Sequence, residues 1–118
     1  MGTDVKRWGA LVVGLLATPA LAGQICTFDT ECLEGEDCQS SAYDLTVIQD
    51  NDGSWRLQDI AGEHSATAAG SAWFASMDDG ASGAMLLTIA DDGRARYSVH
   101  MPMAEISILY LGQCQDSG

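Results

Sequence analysis

The sequence predicts an all-β fold: a small, disulfide-stapled antiparallel barrel or sandwich of six to eight strands. Three observations predict it. From Tyr43 onward, apolar and polar residues alternate with a period of two, the pattern of strands that bury one face. Asp-Gly turn signals interrupt that alternation at short intervals. All four cysteines follow an N-terminal segment that directs export, and exported proteins form disulfides.

Residues 1–22 have the parts of a secretory signal peptide. The basic pair Lys6-Arg7 precedes an apolar run over residues 8–17, and the small-x-small sequence Ala20-Leu21-Ala22 follows. The apolar run is half of the ~20 residues that a bilayer-spanning helix needs. We therefore expect cleavage before Gly23, no membrane span in the mature form, and a periplasmic or secreted location.

The mature chain, residues 23–118, is short enough for one β domain. Its first strand is predicted around residues 25–28. Residues 29–42 hold five acids and no periodicity, which predicts an acidic loop stapled by a disulfide. Residues 43–47 and 55–57 share an apolar face on either side of a turn at residues 50–53, and this indicates a hairpin.

The second half continues the strand pattern. Residues 65–77 predict one or two strands, and residues 84–90 form a nearly continuous apolar run, as expected of a strand buried on both faces. Residues 94–101 alternate after a tight turn. A last strand is predicted from Ile106 through Gly112 to Cys114.

The four cysteines predict two disulfides, for which three pairings are possible. We favour Cys26–Cys114, because a barrel pairs its first and last strands, together with Cys32–Cys38. The first three cysteines are six residues apart, whereas structural zinc sites use pairs of cysteines separated by about two to four residues. No metal or cofactor is predicted.

The charge of the mature chain is strongly negative. Only Asp4, Lys6 and Arg7 among the charged residues precede Gly23, so sixteen acids face three arginines, for a net charge of −13. Nucleic acid is excluded as a partner, since the chain cannot neutralise a run of phosphates. The charge favours a basic protein as partner, or it keeps the protein dispersed in a salty medium.

The sequence predicts no catalytic residue. Nucleophilic catalysis by serine or cysteine needs a neighbouring base, and His64 and His100 are the only histidines. The chain has no G-x-S-x-G elbow, and its cysteines are expected to be oxidised. A non-enzymatic protein is therefore predicted.

The best candidates for binding are Arg94, Arg96, Ser98 and His100, which alternate along one predicted strand and so project from one face. They gather two of the three mature-chain arginines. Such a patch suits an anion or a carboxylate-bearing partner. Alternatively, these residues pair with nearby Asp and Glu side chains, each pair contributing about 0.2–1 kcal/mol.

Two resemblances bear on function. The cysteine-containing segment 26–38 together with segments 93–100 and 110–114 resembles uncharacterised short secreted proteins of alphaproteobacteria, a family that implies no known activity. Residues 95–98, Ala-Arg-Tyr-Ser, are similar to a segment of the periplasmic inhibitors of c-type lysozyme. That resemblance implies a disulfide-bonded antiparallel barrel in which Ser98 faces the catalytic carboxylates of the enzyme. The aromatic-Lys-Gly segment of those inhibitors has no counterpart here, because residues 100–103 are His-Met-Pro-Met.

These observations together predict an exported, non-enzymatic binding or envelope-associated module whose ligand is unknown. A periplasmic inhibitor of c-type lysozyme is the alternative, and a small hydrolase is the second alternative.

Overall fold

The computed structural model describes residues 22–77 and 81–116, and within them it contains only strands, turns and short connections. Each strand pairs antiparallel with the next, and the last pairs with the first, so that the sheet closes into a barrel. The strands are β1 (Ala22–Leu33), β2 (Gln39–Gln49), β3 (Trp55–Asp59), β4 (Gly62–Ala69), β5 (Ala72–Met77), β6 (Gly83–Ile89), β7 (Arg94–Met101) and β8 (Ile106–Asp116). The all-β prediction is confirmed, and the architecture is the barrel.

Alternating side chains fill the interior of the barrel. Leu45 and Val47 of β2 and Leu57 of β3 are fully buried, as the period-two pattern of the first hairpin predicts. The segment predicted as one or two strands around Trp73 is two strands, β4 and β5. The other buried core side chains are Cys26, Phe28, Trp73, Met85, Leu87, Ile89, Ala95, Tyr97 and Cys114.

The expectation that residues 84–90 are buried on both faces is wrong. In β6, Met85, Leu87 and Ile89 are buried, but Ala84 is exposed and Leu86 is only partly covered. A closed barrel has one inner face, and within the described residues no element packs over the outside of β6. The apolar residues at the even positions therefore lie on the outer surface of the protein.

The acidic loop predicted over residues 29–42 is shorter than expected. Strand β1 continues to Leu33 and β2 begins at Gln39, so the connection consists of residues 34–38. Pairing with two neighbours extends the strands: β1 is hydrogen-bonded to β2 on one side and to β8 on the other. The register of β1 shifts between Phe28 and Thr30 in both pairings, which marks a β-bulge.

Both predicted disulfides are present, Cys26–Cys114 between the first and last strands and Cys32–Cys38 across the β1–β2 connection. Two disulfides indicate an oxidising, extracytoplasmic environment. The predicted signal peptide lies outside the described residues, except for Ala22. In the described part of the chain, no helix with the length and apolarity to cross a membrane is found.

Candidate functional site

The four predicted binding residues lie together on the outer face of β7. Arg94, Arg96 and His100 are exposed and Ser98 is half-buried, whereas the intervening Ala95 and Tyr97 point into the core. The alternation of the strand therefore presents the four polar residues to the outside, as the sequence predicts.

Arg94 already has a carboxylate partner. Its Nε donates to Asp92 Oδ2 at 2.8 Å, and its backbone N–H donates to Asp92 Oδ1 at 3.0 Å. The bond from the Arg94 backbone, supported by the guanidinium charge, lowers the pKa of Asp92. Pairing with a nearby acid thus accounts for Arg94, although the acid lies in the preceding turn and not on the neighbouring strand.

Arg96 and His100 are available for other contacts. Among residues 22–77 and 81–116, neither has a carboxylate within ion-pair distance. Arg96 and Arg94 border a groove of about 450 Å³ on the outside of the barrel, and His100 borders a second depression of about 510 Å³. The structure places all four residues on one face but divides them between two concavities, with Ser98 between them.

An apolar row crosses the barrel at the level of Ser98. In register across four strands, Phe74 of β5 pairs with Leu86 of β6, Leu86 pairs with Ser98, and Ser98 pairs with Leu109 of β8. Phe74 is 48% exposed, so its ring extends well into solvent. Sequence reasoning missed these apolar neighbours, because it assigned β6 to the interior.

We call the outer faces of β5, β6, β7 and β8 the β5–β8 wall. Its strands carry no Asp or Glu over residues 72–77, 83–89, 94–101 and 106–115. The other four strands carry five acids, Asp29, Glu31, Asp44, Asp59 and Glu63. The wall is therefore apolar and mildly cationic on a protein whose net charge is −12.

A polar cluster that sequence reasoning missed lies inside the barrel, near the β3–β4 turn. The Tyr43 hydroxyl donates to Asp59 Oδ2 at 2.5 Å, and the Ala61 backbone N–H donates to Asp59 Oδ1 at 2.9 Å. His64 Nε2 lies 3.6 Å from the same Oδ1. These residues lie on three consecutive strands, and the pairing of β2 with β3 and of β3 with β4 brings them together on the inner face of the barrel.

The three tyrosines of the chain join this cluster. Tyr43 stacks on Tyr110 with ring centroids 4.6 Å apart, and Tyr97 stacks on both. Burial, helped by the hydrogen bond to Asp59, raises the pKa of Tyr43 above that of a free phenol. Burial also raises the pKa of Tyr97 and of Tyr110, so all three phenols keep their protons to a higher pH than a free phenol does.

The His64–Asp59 pair is a histidine with a carboxylate partner, the arrangement that a hydrolase would need. However, the adjacent cavity of about 300 Å³ is bordered by Tyr43 and Asp59 but not by His64. His64 Nε2 is buried and has no hydrogen-bond partner among the described residues. No group of three or more His, Cys, Asp or Glu in the described part of the chain is arranged to hold a metal ion.

Comparison with known proteins adds no relative: no family model, curated protein or solved structure matches this chain.

Proposed function

We propose that the protein is an exported, non-enzymatic binding module of the periplasm or extracellular medium, and that it contacts a protein partner through the β5–β8 wall. The observation that carries this proposal is that, in a strongly acidic protein, four consecutive strands hold no Asp or Glu except Asp116, the last residue of β8. Phe74, Leu86 and Leu109 supply apolar contact area, Arg96 supplies a positive charge that has no carboxylate partner among the described residues, and His100 supplies a polar ring. An exposed apolar patch rimmed by polar groups is typical of an interaction site.

The charge distribution indicates two properties of the partner, one from attraction at long range and one from contact with the wall. At long range the net charge of −13 attracts a basic protein and speeds its encounter with the module. In contact, the wall offers Arg96 and His100 and no carboxylate of its own. The partner is therefore basic overall and carries carboxylates within the surface that meets the wall.

Affinity capture from periplasmic extract tests this proposal when three immobilised proteins are compared. Wild type is compared with Arg96→Glu/Phe74→Asp on the wall and with Thr27→Glu/Ser65→Asp on outward positions of β1 and β4, which are exposed. Both double variants add acidic charge, so non-specific attraction of basic proteins is controlled. We expect a basic protein to be retained by wild type and by the β1/β4 variant and lost from the wall variant. Equal retention by all three would contradict the proposal.

The second candidate function is inhibition of a c-type lysozyme, and the placement of Ser98 favours it. Ser98 lies on the outside of β7 between Arg96 and His100, where a protruding or concave partner can reach it. A basic lysozyme with acidic catalytic residues also has the two charge properties derived above.

Lysozyme activity on a cell-wall suspension, measured at low and high salt, tests this candidate. We expect protection by wild type that weakens with salt, since the long-range attraction is screened. Ser98→Glu should abolish protection, and the matched control Ser65→Glu, exposed on β4, should keep it. The absence of protection at micromolar protein would remove this candidate and leave the binding module itself standing.

A further inference from the structure

A cavity of about 300 Å³ opens on the side of the barrel opposite the outer face of β7, where β2 extends past the end of β3. Its polar lining comes from Tyr43, Asp44, Thr46, Gln58 and Asp59. The volume is at the lower limit of small-molecule sites, so the cavity suits one small group and not a large ligand.

Asp59 is the unusual member of this lining. Its side chain is only 10% exposed, yet it borders the cavity. No arginine of the described residues lies within ion-pair distance of it, and His64 stands at 3.6 Å, beyond hydrogen-bond length. A carboxylate so far removed from water is stabilised by a close cation, and the residues that the structure describes supply none at hydrogen-bond distance.

The hydrogen bonds that the Asp59 carboxylate already accepts affect which kind of cation it can bind. Tyr43 donates to Oδ2 and Ala61 donates to Oδ1, so each oxygen has already accepted one hydrogen bond. A bidentate guanidinium needs a remaining lone pair on each of the two oxygens, whereas an ammonium needs one remaining lone pair and other acceptors for its remaining protons, so the ammonium makes the smaller demand on Asp59. Gln58 and Thr46, which border the cavity, carry such acceptors in their side chains.

The entrance adds an apolar contact. Ile60 is 98% exposed at the tip of the β3–β4 turn and borders the cavity together with Ala42. An isoleucine that no part of the described chain covers suits the alkyl portion of a ligand whose charged end enters the cavity. The mature chain has no lysine, so it cannot fill the cavity with a lysine ammonium of its own.

We propose that this cavity binds a primary alkylammonium group, with Asp59 as the anchoring carboxylate and Ile60 in contact with the alkyl chain. The site is separate from the β5–β8 wall, so it does not depend on the proposed function. A lysine side chain of a protein and a free alkylamine share this chemistry.

Titration of the oxidised, exported protein with n-butylammonium chloride, followed by amide NMR shifts, tests the proposal. We expect a saturable shift of the Ala61 amide, no saturable shift with n-butanol, and weaker binding of n-butylguanidinium. Nα-acetyl-lysine methylamide is titrated in parallel. Tighter binding of the lysine compound than of n-butylammonium would assign the site to a protein side chain, and the reverse order would assign it to a free amine.

Substitutions separate the anchoring role of Asp59 from general attraction by the acidic protein. Asp59→Asn removes the charge, keeps an acceptor oxygen for the Ala61 N–H and turns an amide N–H toward the Tyr43 hydroxyl oxygen, which can accept; it should weaken n-butylammonium binding about tenfold or more. Asp52→Asn removes the same charge from an exposed turn and should leave binding unchanged. Thr46→Leu, which fills the cavity and keeps every charge, should abolish binding even if Asp59→Asn fails to fold. The absence of a saturable shift in wild type, or equal losses in the Asp59 and Asp52 variants, would overturn the proposal.

Discussion

Cys26 and Cys114 are direct register partners across the seam between β1 and β8, and a disulfide joins them. The bond therefore links the two strands whose pairing closes the barrel. It spans 88 residues of sequence, whereas Cys32–Cys38 spans 6. In the loop-entropy model the long loop stabilises the folded protein by about 4–5 kcal/mol and the short one by about 2 kcal/mol.

We predict that Cys114→Ser lowers the thermal midpoint further than Cys38→Ser. Thermal unfolding followed by circular dichroism measures both, and non-reducing peptide mapping confirms which bond remains in each variant. An equal or reversed order would mean that the stabilisation does not follow loop length in this barrel.

Gly112 controls the approach of β8 to β1. A Cβ at this position would lie 2.0 Å from Thr27 O and 2.6 Å from Phe28 Cα, both of them backbone atoms that cannot move aside cheaply. We predict that Gly112→Ala destabilises the protein by about 1–3 kcal/mol or more, because it separates the closing strands. Urea unfolding measures the loss. Gly35→Ala in the β1–β2 connection is the comparison. A Cβ at Gly35 would meet no atom within 4 Å, and only the φ of +84° favours glycine there. We therefore expect Gly35→Ala to reduce the free energy of unfolding less than Gly112→Ala does.

Because the tyrosines are buried, we predict that the free energy of unfolding decreases at alkaline pH. Because the pKa of Tyr43 and of Tyr97 is raised in the folded state, the folded protein keeps protons that the unfolded chain releases near pH 10. This contribution to stability is complete below about pH 10 and decreases as the pH rises further. We therefore predict little phenolate absorbance from the native protein near pH 10 and a cooperative rise on alkaline unfolding. A native titration of all three tyrosines near pH 10 would contradict the buried cluster.

The signal-peptide prediction has its own measurement. Intact mass of material recovered from the periplasm should place the N-terminus at or within a residue or two of Gly23, since small-x-small residues 20–22 precede it. Retention of Met1, or a lipid on Cys26, would show that this segment has another role. The second outcome would also conflict with the Cys26–Cys114 disulfide.

Local patterns predicted those features of the fold that depend on neighbours in sequence. The alternation along residues 94–101 correctly placed Tyr97 inside and Arg96 outside, and the turn signals correctly separated the hairpins. The same logic misassigned Leu86, because an apolar run does not say whether a second layer covers it. The covering of a strand is a property of the whole architecture.

The Tyr43–Asp59–His64 cluster was beyond sequence reasoning for a similar physical reason. Its members lie on three strands, and in the sequence each of them is indistinguishable from an ordinary turn or strand residue. They meet because β2, β3 and β4 curve around a common interior, where a hydroxyl and a carboxylate must satisfy one another. The period-two pattern of a strand does not show which residues of neighbouring strands come into contact.

By itself, the sequence determined the all-β class, the inward residues of most strands, the disulfide pairing that barrel closure requires, and the acidity of the chain. Those properties follow from side-chain period, turn chemistry and composition, which act over a few residues or over the whole chain at once. Only the tertiary structure decided that the sheet closes with eight strands, that Leu86 and Phe74 join Ser98 on the β5–β8 wall, and that Asp59 borders a cavity beside Tyr43. The closure depends on pairing β1 with β8, which are distant in sequence, and the other two features depend on the register and curvature of neighbouring strands; hydrogen bonding and packing in the folded barrel establish both.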